Sequence, residues 1–135
     1  MRLRVYADGA CWGNPGPAAV GVVIKDERQR ELAEISRYIG QSTNNQAEYQ
    51  AAIAALKAAT KFETDEVVLY LDSELVVRQL AGNYKVKSIL LAPLHNEATE
   101  LSKRLANVSV IHITHRENSE AHALAKAALK ESLRR

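Results

Sequence analysis

The feature that most narrows the fold of this chain is a change in the rhythm of its apolar residues after residue 39. Up to there, three strand patterns follow one another at residues 2–8, 18–26 and 31–39, joined by turns short enough for an antiparallel meander. Beyond it, helical and extended patterns alternate: a helix at 44–61, a strand at 67–71, helices at 73–81 and 93–106, a strand at 108–114 and a helix at 118–133. Alternation of that kind builds βαβ units. The expected architecture is therefore α/β, a mixed sheet flanked by helices. The run VVLYL is apolar throughout, as in a central strand covered on both faces. The last helix carries Ala121, Leu124, Ala125, Ala128, Leu129 and Leu133 at helical spacing, so one face should lie on the sheet.

Three acidic residues sit at telling places in this layout. Asp8 ends the first strand, Asp72 ends the strand at 67–71, and Glu48 lies in the first turn of the first helix. Parallel strands side by side bring their C-terminal ends together, and open α/β sheets bind ligands in the crevice outside those ends. In RLRVYAD, Leu3, Val5 and Ala7 alternate with Arg4, Tyr6 and Asp8, so Asp8 projects from the face opposite the apolar row. Carboxylates crowded in a partly dry crevice hold protons unless cations neutralise them. Hard divalent cations such as Mg²⁺ prefer oxygen ligands and would supply that charge. Any one of these acids has an ordinary alternative as a surface, turn or helix-capping residue. Their surroundings favour the metal site.

Asp8 opens DGACWGNPGPAAVG, a glycine- and proline-rich tight connection into the next strand. Glu48 belongs to TNNQAEY, where Thr43 or Asn44 can cap a helix. Asp72 opens DSELVVRQLAG, where Asp72 or Ser73 can cap a short helix that Gly82 ends. Together with LAGNYKVK and RENSEAHALAKAAL, in this order and spacing, these segments resemble the type 1 ribonucleases H, which cut the RNA strand of an RNA–DNA hybrid. The resemblance covers nearly the whole chain. LAGNYKVK runs directly into PLHNEATELSKRL, as in compact prokaryotic members that lack a long basic protrusion at this point.

The resemblance implies a ribonuclease H-like fold of five strands in the order 3-2-1-4-5, with strand 2 antiparallel to the rest. That order makes the strands of Asp8 and Asp72 neighbours. It also implies two Mg²⁺ or Mn²⁺ ions about 4 Å apart when substrate is bound. Asp8 would bridge them, while Glu48 and Asp72 would hold one ion together with the scissile phosphate. The products would carry a 5′ phosphate and a 3′ hydroxyl, with no covalent protein nucleophile.

A hybrid presents RNA 2′-hydroxyls in a wide minor groove, which short polar side chains read without reading sequence. Asn14, Asn44, Asn45 and Gln46 suit that task, and turn or cap duty suits them equally. By resemblance, Thr43 belongs to a pocket for a DNA-strand phosphate and Glu74 takes the place of a polar RNA contact. Lys85 and Lys87 beside Tyr84, with Arg78 one helix earlier, read either as a phosphate-contacting patch or as ordinary solvated side chains.

One departure from the family pattern is plain. The family's last helix carries a fourth carboxylate in N-x-E-A-D-x-L-A, but this chain reads NSEAHALA, with His122 in that place. Neutral imidazole is a competent metal ligand that favours softer metals than Mg²⁺. Some retroelement relatives carry His there too, so His122 is expected to join Asp8, Glu48 and Asp72 as a ligand. The alternative is a hybrid-binding module with weak or no turnover because of His122. His115, in THREN, is the candidate for a mobile histidine that helps product leave, with His112 second. His95 is expected to be a helix-surface residue.

Length and composition set the frame. At 135 residues, 47% hydrophobic and 25% charged, the chain is expected to be one ribonuclease H domain spanning 1–135. A formal charge of +2 and a pI near 8.7 are too mild to identify a nucleic-acid binder by themselves. There is no run of about eighteen apolar residues to span a membrane, and MRLRVYAD has none of the marks of a secretory signal. A soluble cytoplasmic monomer is the expectation. A lone cysteine, Cys11, cannot form an internal disulfide and reads as a small turn residue.

Overall fold

In the computed structural model, which describes residues 1–134, a five-stranded sheet has the order β3-β2-β1-β4-β5. Its strands are β1 (Arg2–Cys11), β2 (Gly16–Lys25), β3 (Glu31–Ser42), β4 (Glu66–Leu71) and β5 (Val108–His112). The helices are α1 (Asn44–Ala59), α2 (Glu74–Leu80), α3 (Ala92–Lys103) and α4 (Ser119–Leu133), with a 3₁₀ turn at Arg116–Asn118. β2 runs antiparallel to β1 and β3, while β4 runs parallel to β1 and β5.

The alternation of β1 and β2 sorts side chains between two layers. Leu3, Val5 and Ala7 join Val20, Val22 and Ile24 in the core beneath α1, whose buried face is mostly alanine. Alanines let that helix lie close to the sheet. The opposite face of β2 turns Gly21 towards α4, which packs across β1, β2 and β3 with Ala121, Ala125 and Leu129 buried. Burying Leu129 contributes about 1.5–3 kcal/mol, and each alanine about 1 kcal/mol or less.

Two glycines set how near the helices come. A Cβ on Gly9 would stand 2.5 Å from the Ala47 carbonyl, so glycine here allows α1 to press against β1. A Cβ on Gly21 would run into the Ala121 carbonyl oxygen and the Ala125 nitrogen of α4. Gly21 is also the cross-strand partner of Asp8. Both close approaches therefore fall at the same end of β1.

The element ends differ from the sequence expectation for identifiable reasons. β1 runs on to Cys11 because its backbone keeps pairing with β2 as far as Cys11↔Ala18. β5 stops at His112, since Thr114 turns to receive and give hydrogen bonds with Glu117 around the 3₁₀ turn. That turn takes up residue 118, so α4 starts one residue later than expected. His95 is not a bare surface residue: its ring nitrogen Nε2 lies 3.1 Å from the Gln79 carbonyl, and its ring meets Tyr49 edge-on at 6.4 Å. Tyr49 in turn donates its hydroxyl to Gln79 Oε1, so α1, α2 and α3 are bolted together there.

Candidate active site

β1 and β4 stay paired only as far as Tyr6↔Tyr70, and the two strands part beyond that point. Asp8 and Asp72 flank the split. Glu48 reaches it from the second turn of α1 and not, as expected, from the first, because the Thr43–Gln46 capping box starts the helix at Asn44. One carboxylate oxygen from each of Asp8, Glu48 and Asp72 lies within 4.8 Å of the others. The Gly9 N–H donates to Glu48 Oε1 at 2.7 Å, which fixes that carboxyl; its other oxygen, Oε2, is buried without a partner.

Asn118 fills the split from below. It is 1% exposed, and its Nδ2 donates to the Ala7 carbonyl at 2.8 Å and to Asp72 Oδ2 at 3.3 Å. One side chain thus ties the end of α4 to both parted strands. Sequence reasoning did not single this residue out, because an Asn just before a helix reads as a cap; here it makes no side-chain cap bond.

Electrostatics follow from this crowding. Burial, then the charge of Asp72, pushes the Asp8 carboxyl up, against the lowering effect of hydrogen bonds from Glu48 and His122. Burial chiefly, then the charge of Asp8 and the hydrogen bond shared with it, pushes Glu48 up to about 9. Without a cation, the cluster therefore keeps a proton between Glu48 and Asp8 at neutral pH. Three carboxylates with a buried, unpartnered oxygen among them form a donor set suited to a hard divalent cation.

The histidines take different places. Among the described residues, the cluster of mutually close ligand atoms consists of Asp8, Glu48 and Asp72. His122 stands beside it, with Nδ1 2.6 Å from Asp8 Oδ2. The His115 ring packs edge-on to His122 at 4.4 Å and points Nδ1 at Asp72 Oδ2, 3.4 Å away. His115 is exposed, so it sits at the open rim. His112 has Nε2 3.3 Å from the Asp72 backbone carbonyl.

The residues suggested for substrate contact fall at the β1–β2 turn, at the start of α1 and, for Glu74, at the start of α2. Asn14 Oδ1 accepts the Asn44 N–H at 2.9 Å, joining the β1–β2 turn to the start of α1. Asn14, Thr43 and Asn45 line an open pocket of about 360 Å³ with Ser88, Leu90 and Leu91. Gln46 is less free than expected, since its Oε1 accepts the Thr43 N–H within the capping box. Glu74 is held by an ion pair with Arg78 at 3.0 Å on the same helix. Arg78 in turn lies over the Tyr84 ring at 5.4 Å, while Lys85 and Lys87 are exposed. Cys11 points its sulfur at the carbonyls of Gly13 and Ser42, which fits a turn residue.

A 3-2-1-4-5 sheet with carboxylates at the split between its first and fourth strands defines a ribonuclease H-like protein, and the family model described as Reverse transcriptase-like matches residues 6–128. The chain is 43% identical over 131 residues to ribonuclease HI of Halobacterium salinarum, covering 97% of this chain and 66% of that protein. It covers 36% of the bifunctional protein Rv2228c of Mycobacterium tuberculosis, at 37% identity over 130 residues. The chain thus spans about two thirds or less of the length of these relatives. The crystal structure of RNase H1 from Halobacterium salinarum superposes with a TM-score of 0.94 at 43% identity, covering 97% of this chain and 99% of that one. The structure of LC11-RNase H1 in complex with an RNA/DNA hybrid gives 0.92 at 40% identity, with 97% and 99% covered. The chain belongs to the type 1 ribonuclease H family.

Proposed function

We propose that this chain is a metal-dependent endonuclease that hydrolyses the RNA strand of RNA–DNA hybrids, leaving 5′-phosphate and 3′-hydroxyl ends. The observation that carries this reading is the trio of carboxylate oxygens within 4.8 Å, with Glu48 Oε2 buried and unpartnered among them. Asp8, Glu48 and Asp72 would hold Mg²⁺ or Mn²⁺, two ions with substrate. Such ions, when bound, activate water and stabilise the leaving 3′ oxygen. The resemblance of the chain to LC11-RNase H1, seen with a hybrid, supports the substrate class.

The chain's own residues divide the remaining work. Asn118 holds the parted strands and orients Asp72. His122 holds Asp8 through Nδ1 and, standing beside the three carboxylates, would join the ligand set. His115, exposed at the rim beside Asp72 Oδ2, is placed to meet the scissile or departing phosphate. Asn14 and Asn45, which line one pocket with Thr43, would read the hybrid's minor groove together with Asn44 and Gln46, and Thr43 would take a phosphate of the uncut strand. Glu74, tied to Arg78 at the start of α2, would supply a polar RNA contact.

One observation favours a second reading. His122 engages one carboxylate oxygen of Asp8, Oδ2, and so competes with a cation for that carboxylate, which suits a domain that binds hybrid and turns over slowly or not at all. A cleavage assay of labelled hybrid, duplex RNA and duplex DNA under Mg²⁺ and under Mn²⁺ decides between them. Divalent-dependent cutting of the hybrid supports the nuclease; tight hybrid binding without cutting under either ion supports the second reading.

A further inference from the structure

The rung at which the sheet splits is closed by an aromatic pair. Tyr6 and Tyr70 are the last partners of β1 and β4, and their rings stack with centroids 4.7 Å apart and planes 13° from parallel. Both side chains are half-buried and lie outside the hydrophobic core beneath α1, so core packing does not account for the pair. Asp8 and Asp72 each stand two residues beyond these tyrosines, and Asp8 projects from the same face of the sheet as Tyr6. Past the rung, ladder pairing no longer holds the strands together. The angle at which they leave it is therefore carried over two residues, about 7 Å, to the carboxylates. Asn118 spans the split itself, through Ala7 and Asp72, while the stack closes its root. The helix that carries His122 meets the same ring. Lys25 Nζ lies 5.7 Å from the centre of the Tyr6 ring and pairs at 2.7 Å with Glu120, two residues before His122 on α4. A cation over one face and a second ring on the strand beside it give Tyr6 a preferred distance and plane, which resist sliding and parting of the strands.

We propose that Tyr6 is a positioning residue for the metal site: stacked on Tyr70 and held by Lys25, it sets the width of the split and with it the spacing of the Asp8 and Asp72 carboxylates. This rests on the metal-dependent nuclease reading. Tyr6 supplies no ligand atom and acts through the strands that carry the ligands. The spacing matters most for Mg²⁺, which demands near-ideal octahedral geometry, and less for Ca²⁺, whose coordination is flexible.

The test is a metal titration without hybrid. In ¹⁵N-labelled protein, the NMR shift of the Gly9 amide, which donates to Glu48 Oε1, follows Mg²⁺ or Ca²⁺ entering the carboxylates. Tyr6→Leu keeps an apolar side chain and removes the stack. It should raise the Mg²⁺ concentration for half-saturation about tenfold, as loss of a group that orients a ligand does, and raise that for Ca²⁺ less. Tyr70→Leu should act in the same way, and the two changes together should cost no more than either alone, since each removes the same contact. Tyr6→Phe keeps the ring and should titrate with the wild type. In cleavage of hybrid at low Mg²⁺, Tyr6→Leu should lower kcat and leave KM for hybrid unchanged, and excess Mg²⁺ should recover the rate. If Tyr6→Leu does not fold, as judged by circular dichroism, Tyr70→Leu carries the same expectation. An unchanged Mg²⁺ titration in a folded leucine variant, a loss that Tyr6→Phe shares, or a loss that falls equally on Ca²⁺ overturns the positioning role and leaves the nuclease reading standing. A wild type that neither shifts Gly9 with Mg²⁺ nor cuts hybrid overturns the two together.

Discussion

Glu48 offers a test that needs neither substrate nor turnover. Its carboxyl is pushed from 4.5 up to about 9 by burial and by Asp8, so in this window the folded, metal-free protein holds a proton that the unfolded chain has released. The stabilisation linked to that proton is complete below about pH 4.5 and is lost progressively as pH rises towards 9, at up to about 1.4 kcal/mol per pH unit. From pH 5 to pH 8 the upper bound is about 4 kcal/mol. Water entering the split and sharing of the proton with Asp8 reduce this to about 2 kcal/mol. Glu48→Gln removes the titration and keeps an oxygen for the Gly9 N–H, so the fold should persist. Urea denaturation of both proteins in EDTA at pH 5, 6, 7 and 8 measures the difference. The wild type should lose about 2 kcal/mol more than Glu48→Gln across that range. Adding Mg²⁺ at pH 8 should restore much of the loss to the wild type, because a bound ligand stabilises the folded state. Parallel stability curves for the two proteins would refute the claim that burial and crowding hold a proton in this cluster.

Three further outcomes follow from the geometry. Replacing Asn14 and Asn45 together with Ala should weaken binding to hybrid several-fold more than binding to duplex DNA, by competition titration, because only the hybrid offers 2′-hydroxyls; an equal loss would assign these residues to loop shape alone. His122→Asp should place a fourth carboxylate beside Asp8, raise the affinity for Mg²⁺ and narrow any advantage of Mn²⁺; identical metal titrations of variant and wild type would remove His122 from the site. Gly21→Ala should cost about 1–3 kcal/mol or more in thermal or urea unfolding, since its Cβ meets the α4 backbone, and should reduce cleavage by shifting His122 from Asp8.

The order of strands and helices could be read from the sequence because apolar periodicity changes with each element, and the continuous run around Val67–Leu71 marked a strand buried on both faces. The extension of β1 through Gly9, Ala10 and Cys11 could not, since its pairing with β2 is a backbone matter and those side chains carry no alternation. Asp8 and Asp72 announced themselves by closing apolar strand patterns, although β1 itself continues past Asp8 to Cys11. Glu48 meets them only because Gly9 lets α1 sit against β1, a three-dimensional fit that no local pattern encodes. Asn118 was hidden for the same reason: its partners, Ala7 and Asp72, are remote in sequence. Gln46 and His95 show the reverse case, in which polar residues that look free are spent on a helix cap and on helix packing.

The most direct test of the nuclease reading is a hybrid carrying different labels on its RNA and DNA strands, incubated with wild type, wild type plus EDTA, and Asp8→Asn in Mg²⁺. Asp8→Asn removes a ligand carboxylate from the trio and scarcely changes volume. The wild type should cut the RNA label into fragments with 5′-phosphate ends and leave the DNA whole, while EDTA or Asp8→Asn should slow cutting by orders of magnitude with an unchanged circular dichroism spectrum. Cleavage of the RNA by Asp8→Asn at the wild-type rate, or cutting of the DNA strand, would contradict it.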